Sequence, residues 1–191
     1  MKKVIMILVA VVALMGAQAQ HVEFKWHRMY GVAGYDFSTN FNTTNYNDKV
    51  SFNSLYAVGG WQIRKESGIG IGASYMMDAT GAFTQIPVFM ELRSNYLRNR
   101  ISPFTAAYVG YSIPLGTSST GDSRIEIAKG GPTWGLNVGA RFAYTRKLGF
   151  SAYLGYQGIF LNRVDRYDNG MLAYGEPLLL QDFKFGVAFH F

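Results

Sequence analysis

The 191-residue sequence contains no cysteine, only three histidines and five prolines, and charged side chains make up just 16% of it. Without cysteine the chain forms no disulfide, no thiolate metal site and no lipid anchor on an N-terminal cysteine. Three histidines leave few candidates for a general base. The longest apolar run, Val4–Met15, has twelve residues, which is too short for a membrane-spanning helix.

The sequence is rich instead in residues that favour strands and turns, with 14 Phe, 13 Tyr and 22 Gly. Its formal net charge is +6. Without Lys2 and Lys3, which belong to the leader described next, 16 basic residues face 12 acidic ones, a net charge of +4. The basic residues form no block, so the sequence predicts no nucleic-acid partner.

Residues 1–19 have the three parts of a secretory signal peptide. Lys2 and Lys3 give a positive start, Val4–Met15 is the apolar segment, and Gly16–Ala19 ends with small residues where signal peptidase reads. The alternative is a membrane anchor, but twelve helical residues rise only about 18 Å against a hydrocarbon core of about 30 Å. We therefore expect a cleaved signal peptide over 1–19 and one domain over 20–191.

A period of two dominates the rest of the chain. At the C-terminus Phe183, Phe185, Val187, Phe189 and Phe191 alternate with polar and small residues, which indicates a strand with one apolar face. Similar alternation occurs near 28–37, 54–63, 69–78, 86–93, 103–113, 136–144 and 150–157. These eight segments have roughly ten residues each, the length of a tilted strand that crosses a bilayer.

Two features of these strands favour a membrane barrel over a soluble β-sandwich or lipocalin-like barrel. The face opposite the apolar one carries ions, which a soluble core rarely tolerates. The apolar face often ends in aromatic residues, as membrane barrels do at both interfaces. The aromatic end positions are Trp61, Tyr111, Trp134, Tyr144, Phe150, Phe160, Phe183 and Phe191. The predicted fold is therefore an all-β, up-and-down antiparallel transmembrane barrel of about eight strands.

The connections alternate in length, as in outer-membrane barrels, which have short periplasmic turns and longer outer loops. The odd-numbered connections are Ser38–Lys49, Ala79–Ala82, Pro114–Pro132 and Leu161–Pro177, and three of them are long and polar. The even-numbered turns are Arg64–Gly68, Ser94–Arg100 and Thr145–Gly149. An even number of strands returns the C-terminus to the periplasmic side.

The chain resembles the small outer-membrane β-barrels of Gram-negative bacteria, the OmpA-like, OmpX-like and OmpW-like proteins. The segment Ile86–Arg93, followed by Ser102–Phe104 and Val109–Tyr111, is similar to a recurring hairpin of that family. The C-terminal residues Phe185, Val187, Phe189 and Phe191 resemble its signal for the barrel-assembly machinery. The resemblance implies residence in the outer membrane among its lipids and lipopolysaccharide.

Charged residues on the inner face predict a network of ion pairs in a plugged lumen, with a narrow polar pore as the alternative. The candidate network consists of Arg28, Asp36, Glu91, Arg93, Arg141, Asp182 and Lys184. Pro87 lies inside the fourth strand, where we expect a bulge or kink because proline cannot donate to the ladder.

For function, the sequence favours a non-enzymatic structural protein whose outer loops serve adhesion, surface defence or membrane integrity. A small passive channel is the alternative, and a lipid A-modifying barrel enzyme comes third. Asp165–Gly170 falls short of a calcium loop, so we expect no metal, and no motif suggests a cofactor. Lipopolysaccharide phosphates or an extracellular protein would be bound by the outer-loop candidates Arg124, Lys129, Arg163, Arg166 and Tyr167.

Overall fold

A computed structural model describes residues 29–40, 51–64, 66–79, 84–97, 100–115, 118–120, 123–143, 148–166, 172–174 and 178–191. The predicted leader and Arg28 lie outside these residues. Within the described residues, no helix has both the length and the apolar character needed to span a membrane.

The described residues form eleven strands. They are β1 (Met29–Asn40), β2 (Ser51–Gln62), β3 (Ser67–Asp78), β4 (Thr84–Asn95), β5 (Ile101–Pro114), β6 (Ser118–Thr120), β7 (Ser123–Lys129), β8 (Gly131–Ala143), β9 (Gly149–Arg166), β10 (Leu172–Tyr174) and β11 (Leu178–His190).

Eight of these strands close into an antiparallel barrel in the order β1-β2-β3-β4-β5-β8-β9-β11, with β11 pairing back onto β1. The seam is completed beyond the last strand residue. Gly31 and Phe191 exchange two backbone hydrogen bonds, of 2.8 and 3.0 Å. The barrel therefore has no free edge along these strands.

The register fixes the tilt of the strands. Directly paired residues can be followed once around the wall from Tyr30, and the path returns to β1 at Asn40, ten residues further on. The path runs through Gly60, Gly70, Glu91, Tyr108, Gly135, Gln157 and Asp182. Ten residues rise about 33 Å along a strand, and eight strand spacings measure about 38 Å perpendicular to the strands, which gives a tilt of about 41°. Ten tilted residues then cover about 25 Å along the axis, the height of a lipid-facing band.

All the long connections leave one end of the barrel, which we call the long-loop end, and the short turns and Phe191 lie at the short-turn end. The prediction that Pro114–Pro132 and Leu161–Pro177 are loops was wrong in part. β9 continues to Arg166, and its extension pairs with β7 and β10, while β6 pairs with β7. These strands carry the sheet beyond the barrel.

The outer surface of the barrel is apolar, as predicted. Every barrel strand alternates between exposed apolar side chains and buried inward ones. Near the short-turn end the exposed set includes Trp61, Tyr96, Phe142, Phe150, Phe189 and Phe191. Near the long-loop end it includes Phe37, Tyr75, Tyr111, Phe160 and Phe183. Between them lie aliphatic residues such as Val138, Leu154 and Val187, so the surface has the girdled band of a membrane barrel. Tyr144 lies outside the described residues.

The sequence predicted a bulge or a kink at Pro87, and the prediction of a bulge was wrong. β4 pairs with β5 without a shift at Pro87. Toward β3 the ladder is interrupted between the pairs Ala73–Val88 and Met76–Gln85, which are three residues apart on both strands. The register is thus unchanged on either side. Because proline has no N–H to donate, the pairing with β3 is interrupted locally, but no extra residue is inserted into the strand.

Candidate functional site

The lumen collects most of the ionisable residues that the sequence singled out. Asp36, Glu91, Arg93 and Asp182 are buried there, with 1%, 2%, 5% and 0% exposure. Lys184 and Arg141 also point inward but are less completely covered. The outer-loop candidates are elsewhere: Arg124 and Lys129 lie on β7, Arg163 and Arg166 on the extension of β9. Tyr167 lies outside the described residues.

A first cluster lies near the short-turn end. The Nε of Arg93 donates to Oε1 of Glu91 at 2.8 Å, and its Nη2 donates to Oε2 at 3.4 Å. These residues are two apart on β4, so they share the inner face. The guanidinium also lies 4.8 Å from the ring centroid of Phe104. The pair therefore combines a forked ion pair with a cation–π contact.

His190 and Ser151 lie beside this cluster. The Nε2 of His190 and the Oγ of Ser151 are 2.8 Å apart, and both residues are buried. Arg141 lies directly opposite Ser151 in the register between β8 and β9. Among the described residues, no carboxylate forms an ion pair with Arg141.

A second cluster occupies the middle of the lumen. Lys184 Nζ lies 3.1 Å from Asp36 Oδ2 and donates to the hydroxyl of Tyr108 at 3.3 Å. Tyr153 also donates to Asp36 Oδ2, at 3.1 Å. Asp36 is on β1 and Lys184 on β11, so this cluster ties the barrel seam from the inside.

Gln157 extends the hydrogen bonds of the second cluster toward the long-loop end. Tyr108 donates to Oε1 of Gln157 at 3.0 Å, and Nε2 of Gln157 donates to Asp182 Oδ2 at 3.0 Å. The predicted single network is therefore two clusters. The hydrogen bonds by which Tyr108, Tyr153 and Gln157 join the charges were not predicted from the sequence.

The inward tyrosine rings fit because glycines face them. A Cβ on Gly135 would lie 2.4 Å from the Tyr108 ring, and a Cβ on Gly186 would lie 2.3 Å from the ring of Tyr153. Real Cβ atoms do not approach so closely. A side chain at either glycine would displace a tyrosine that holds the second cluster together.

An apolar layer closes the lumen at the long-loop end. We call it the apolar cap; it consists of Phe52, Met76, Ile159, Leu161 and Leu180, all buried against one another. Gln85 lies beside it, accepting from Ser112 at 2.6 Å and donating to the Met76 sulfur at 3.7 Å. The sequence analysis missed this layer because it treated Leu161 as loop. The inward parity of Gln157 continues through Ile159 to Leu161 and could have revealed it.

Little space remains in the middle of the lumen. The cavity in the middle of the lumen, between Asp36, Tyr56, Glu91 and Lys184, has a volume of about 20 Å³, close to what one water molecule needs.

The charges inside the barrel are unevenly divided between its two ends. On the barrel strands, Asp36, Asp78, Asp182 and Lys184 give −2 toward the long loops, and Glu91, Arg93 and Arg141 give +1 toward the turns. In the part of the chain that the structure describes, no group of three His, Asp or Glu side chains could hold a metal.

Solved structures that are similar to this chain include outer-membrane barrels. The chain is similar to Neisserial surface protein A, with a TM-score of 0.60 and 10% identity over 85% of this chain and 95% of that one. It is also similar to OprG of Pseudomonas aeruginosa, with a TM-score of 0.54 and 10% identity over 86% and 96%. The N-terminal barrel domain of OprF from the same organism gives 0.50 and 12% over 86% and 98%. No family model and no curated protein matches the sequence.

The chain thus has the fold of the small eight-stranded outer-membrane barrels. The continuous apolar exterior supports the same conclusion independently, because thirty large apolar side chains on the described residues are exposed and only lipid covers such a surface favourably. The barrel accordingly spans the outer membrane, with its apolar band against the lipids and its polar residues inside.

Proposed function

We propose that the protein is a non-enzymatic outer-membrane protein whose closed barrel is a rigid support for surface loops. The observation that carries this proposal is that the lumen is filled from its middle to the long-loop end. Two hydrogen-bonded clusters and the apolar cap follow one another along the axis, and the central cavity holds about one water molecule. Such an interior favours a support over a pathway for solutes.

The long-loop end supports the display role. β9 extends beyond the barrel to Arg166 and is flanked there by β7 and β10. A connection built on an extended sheet is held at a defined position, and loops on rigid scaffolds commonly carry binding functions. Adhesion, surface defence and membrane integrity are the roles that such a platform fits.

Catalysis has little geometric support. Ser151 and His190 are hydrogen-bonded, as a nucleophile and its base would be, but both are buried inside the short-turn end. Among the described residues, no carboxylate hydrogen-bonds the histidine ring, so the third group that orients a catalytic histidine is missing there.

Planar-bilayer recording separates the support from the alternative, a small passive channel. We expect no steady conductance from the purified wild-type barrel. Phe52→Ala combined with Leu161→Ala removes side chains from the apolar cap and should give brief openings, whereas the lipid-facing control Phe150→Ala should stay silent. Steady currents through the wild-type barrel that are abolished by Glu91→Ala or Arg141→Ala would show that the protein is a channel and not a structural support.

Surface labelling tests the display role itself. An epitope inserted between residues 167 and 171 should be accessible to antibody on intact cells, and one inserted between 144 and 147 should require permeabilised cells. Equal accessibility of both epitopes on intact cells would contradict the orientation on which the proposal depends.

A further inference from the structure

Four buried donor groups near the short-turn end have no hydrogen-bond partner among the described residues. They are the hydroxyl of Tyr30, Nη2 of Arg64, Nη1 of Arg93 and Nε of Arg141. Arg93 is only 5% exposed, and its Nε and Nη2 are both used by Glu91. Its remaining Nη1 is therefore available to another acceptor, and leaving a buried charged donor unpaired is costly.

The register brings the guanidinium groups of Arg93 and Arg141 toward the same part of the lumen. Arg93 lies over the ring of Phe104, and Phe104 is directly opposite Gly139 on β8. Arg141 follows two residues later on the same inner face, and the strand of Phe104 lies between the strands of the two arginines. Both arginines line one cavity at the short-turn end.

This cavity, which we call the vestibule, is lined by apolar residues such as Val32 and Val58 and by further polar side chains. Tyr30 comes from β1, and the hydrogen-bonded Ser151–His190 pair comes from β9 and β11. His190 lines the same cavity as Arg93 and Arg141. Glu91 pairs with Arg93, so Arg141 leaves one positive charge in excess on the barrel strands at this end. In the turn at the mouth, Arg64 and Glu66 add one charge of each sign.

We propose that this vestibule is a binding site for a small oxyanion, of which inorganic phosphate is the simplest example, held between Arg93 and Arg141. Guanidinium groups form charge-assisted, often forked hydrogen bonds to such anions. An oxyanion would accept from Arg93 Nη1 and Arg141 Nε, and Tyr30 supplies a further donor. Arg141 is only half-buried, so the anion enters from the short-turn end, while the apolar cap blocks the other end.

The test is a titration of the refolded full barrel in a phosphate-free maltoside detergent. Inorganic phosphate is added at constant ionic strength while NMR follows the arginine Nε–H signals. We expect saturable shifts of the Arg93 and Arg141 signals. Because one charge-assisted hydrogen bond is lost, Arg141→Gln should bind about tenfold or more weakly. Arg100→Gln, which removes the same charge from an exposed turn at the same end, should bind as wild type does.

A second titration distinguishes a free anion from a lipid headgroup as the source of the oxyanion. Saturation with inorganic phosphate supports a soluble ligand. Saturation with short-chain phosphatidylglycerol alone still supports the oxyanion site but assigns it to headgroups. Shifts that never saturate, or equal affinities of wild type and Arg141→Gln, would overturn the proposal. If Arg141→Gln fails to fold, Arg141→Lys takes its place in the titration. Lysine retains the positive charge but not the forked donor, so this variant should bind phosphate more weakly than wild type but more tightly than a variant without the charge.

Discussion

Replacing Lys184 by methionine should be one of the most damaging single changes in the lumen. Its ammonium lies 3.1 Å from Asp36 Oδ2, and the two side chains are 9% and 2% exposed. Without the ammonium, Asp36 and Asp182 remain as two buried carboxylates in the same cluster. Removing one partner of a buried ion pair typically costs about 3–5 kcal/mol, and we expect Lys184→Met to lower the free energy of unfolding by about that amount.

The reciprocal change should cost less. Asp36→Asn leaves Lys184 with Asp182 close by and retains an acceptor for the Tyr153 hydroxyl, so we expect a loss of about 1–3 kcal/mol. The double variant removes both charges and should be more stable than Lys184→Met alone, because it relieves the uncompensated charge of Asp36. The two costs should therefore be strongly non-additive.

The assay is urea unfolding of the barrel refolded into lipid vesicles, followed by tryptophan fluorescence. Arg100→Met, which removes an exposed charge, is the control and should change stability by no more than about 0.5 kcal/mol. A Lys184→Met variant within about 1 kcal/mol of wild type would refute the buried pair as a major contributor. Additive costs in the double variant would refute the coupling.

Two further substitutions test the seam and the lipid-facing band. A Cβ at Gly31 would lie 2.2 Å from the Phe191 ring, whereas one at Gly59 would meet nothing within 4 Å. Gly31→Val should therefore reduce the folded, heat-shifted form on detergent gels and Gly59→Val should not; equal yields would argue against a seam that closes there. Leu154→Arg, at a position 65% exposed, should cost about 2–4 kcal/mol in vesicles and Ile101→Arg, at the short-turn end, at most about 1. Similar costs at both positions would contradict the prediction that Leu154 lies deeper in the bilayer than Ile101.

The sequence predicted well which side chains of each strand face the lumen and which face outward. A strand must alternate its side chains, so the apolar run ending at Phe191 could only place Lys184 and His190 on the opposite, inner face. The same rule placed Glu91 and Arg141 in the lumen.

Which inward side chains contact one another depends on how far neighbouring strands are staggered. The alternation within a single strand does not predict this stagger. The ten-residue offset around the barrel brings Asp36 close to Lys184. The extension beyond the barrel was missed for another reason. Ile125 and Ile127 alternate with polar residues as a strand would, but the flanking glycines and serines favoured a loop.

Spin labels on single cysteines test most directly whether the apolar face of the barrel meets lipid, since the native chain has no cysteine. Labels at Val138, Leu154, Ile101 and Leu115 are compared in vesicles for collisions with oxygen and with a water-soluble nickel complex. We predict that oxygen dominates at Val138 and Leu154 and that the nickel complex gains access at Ile101 and Leu115. Equal nickel access at all four sites would mean that water, not lipid, surrounds the barrel.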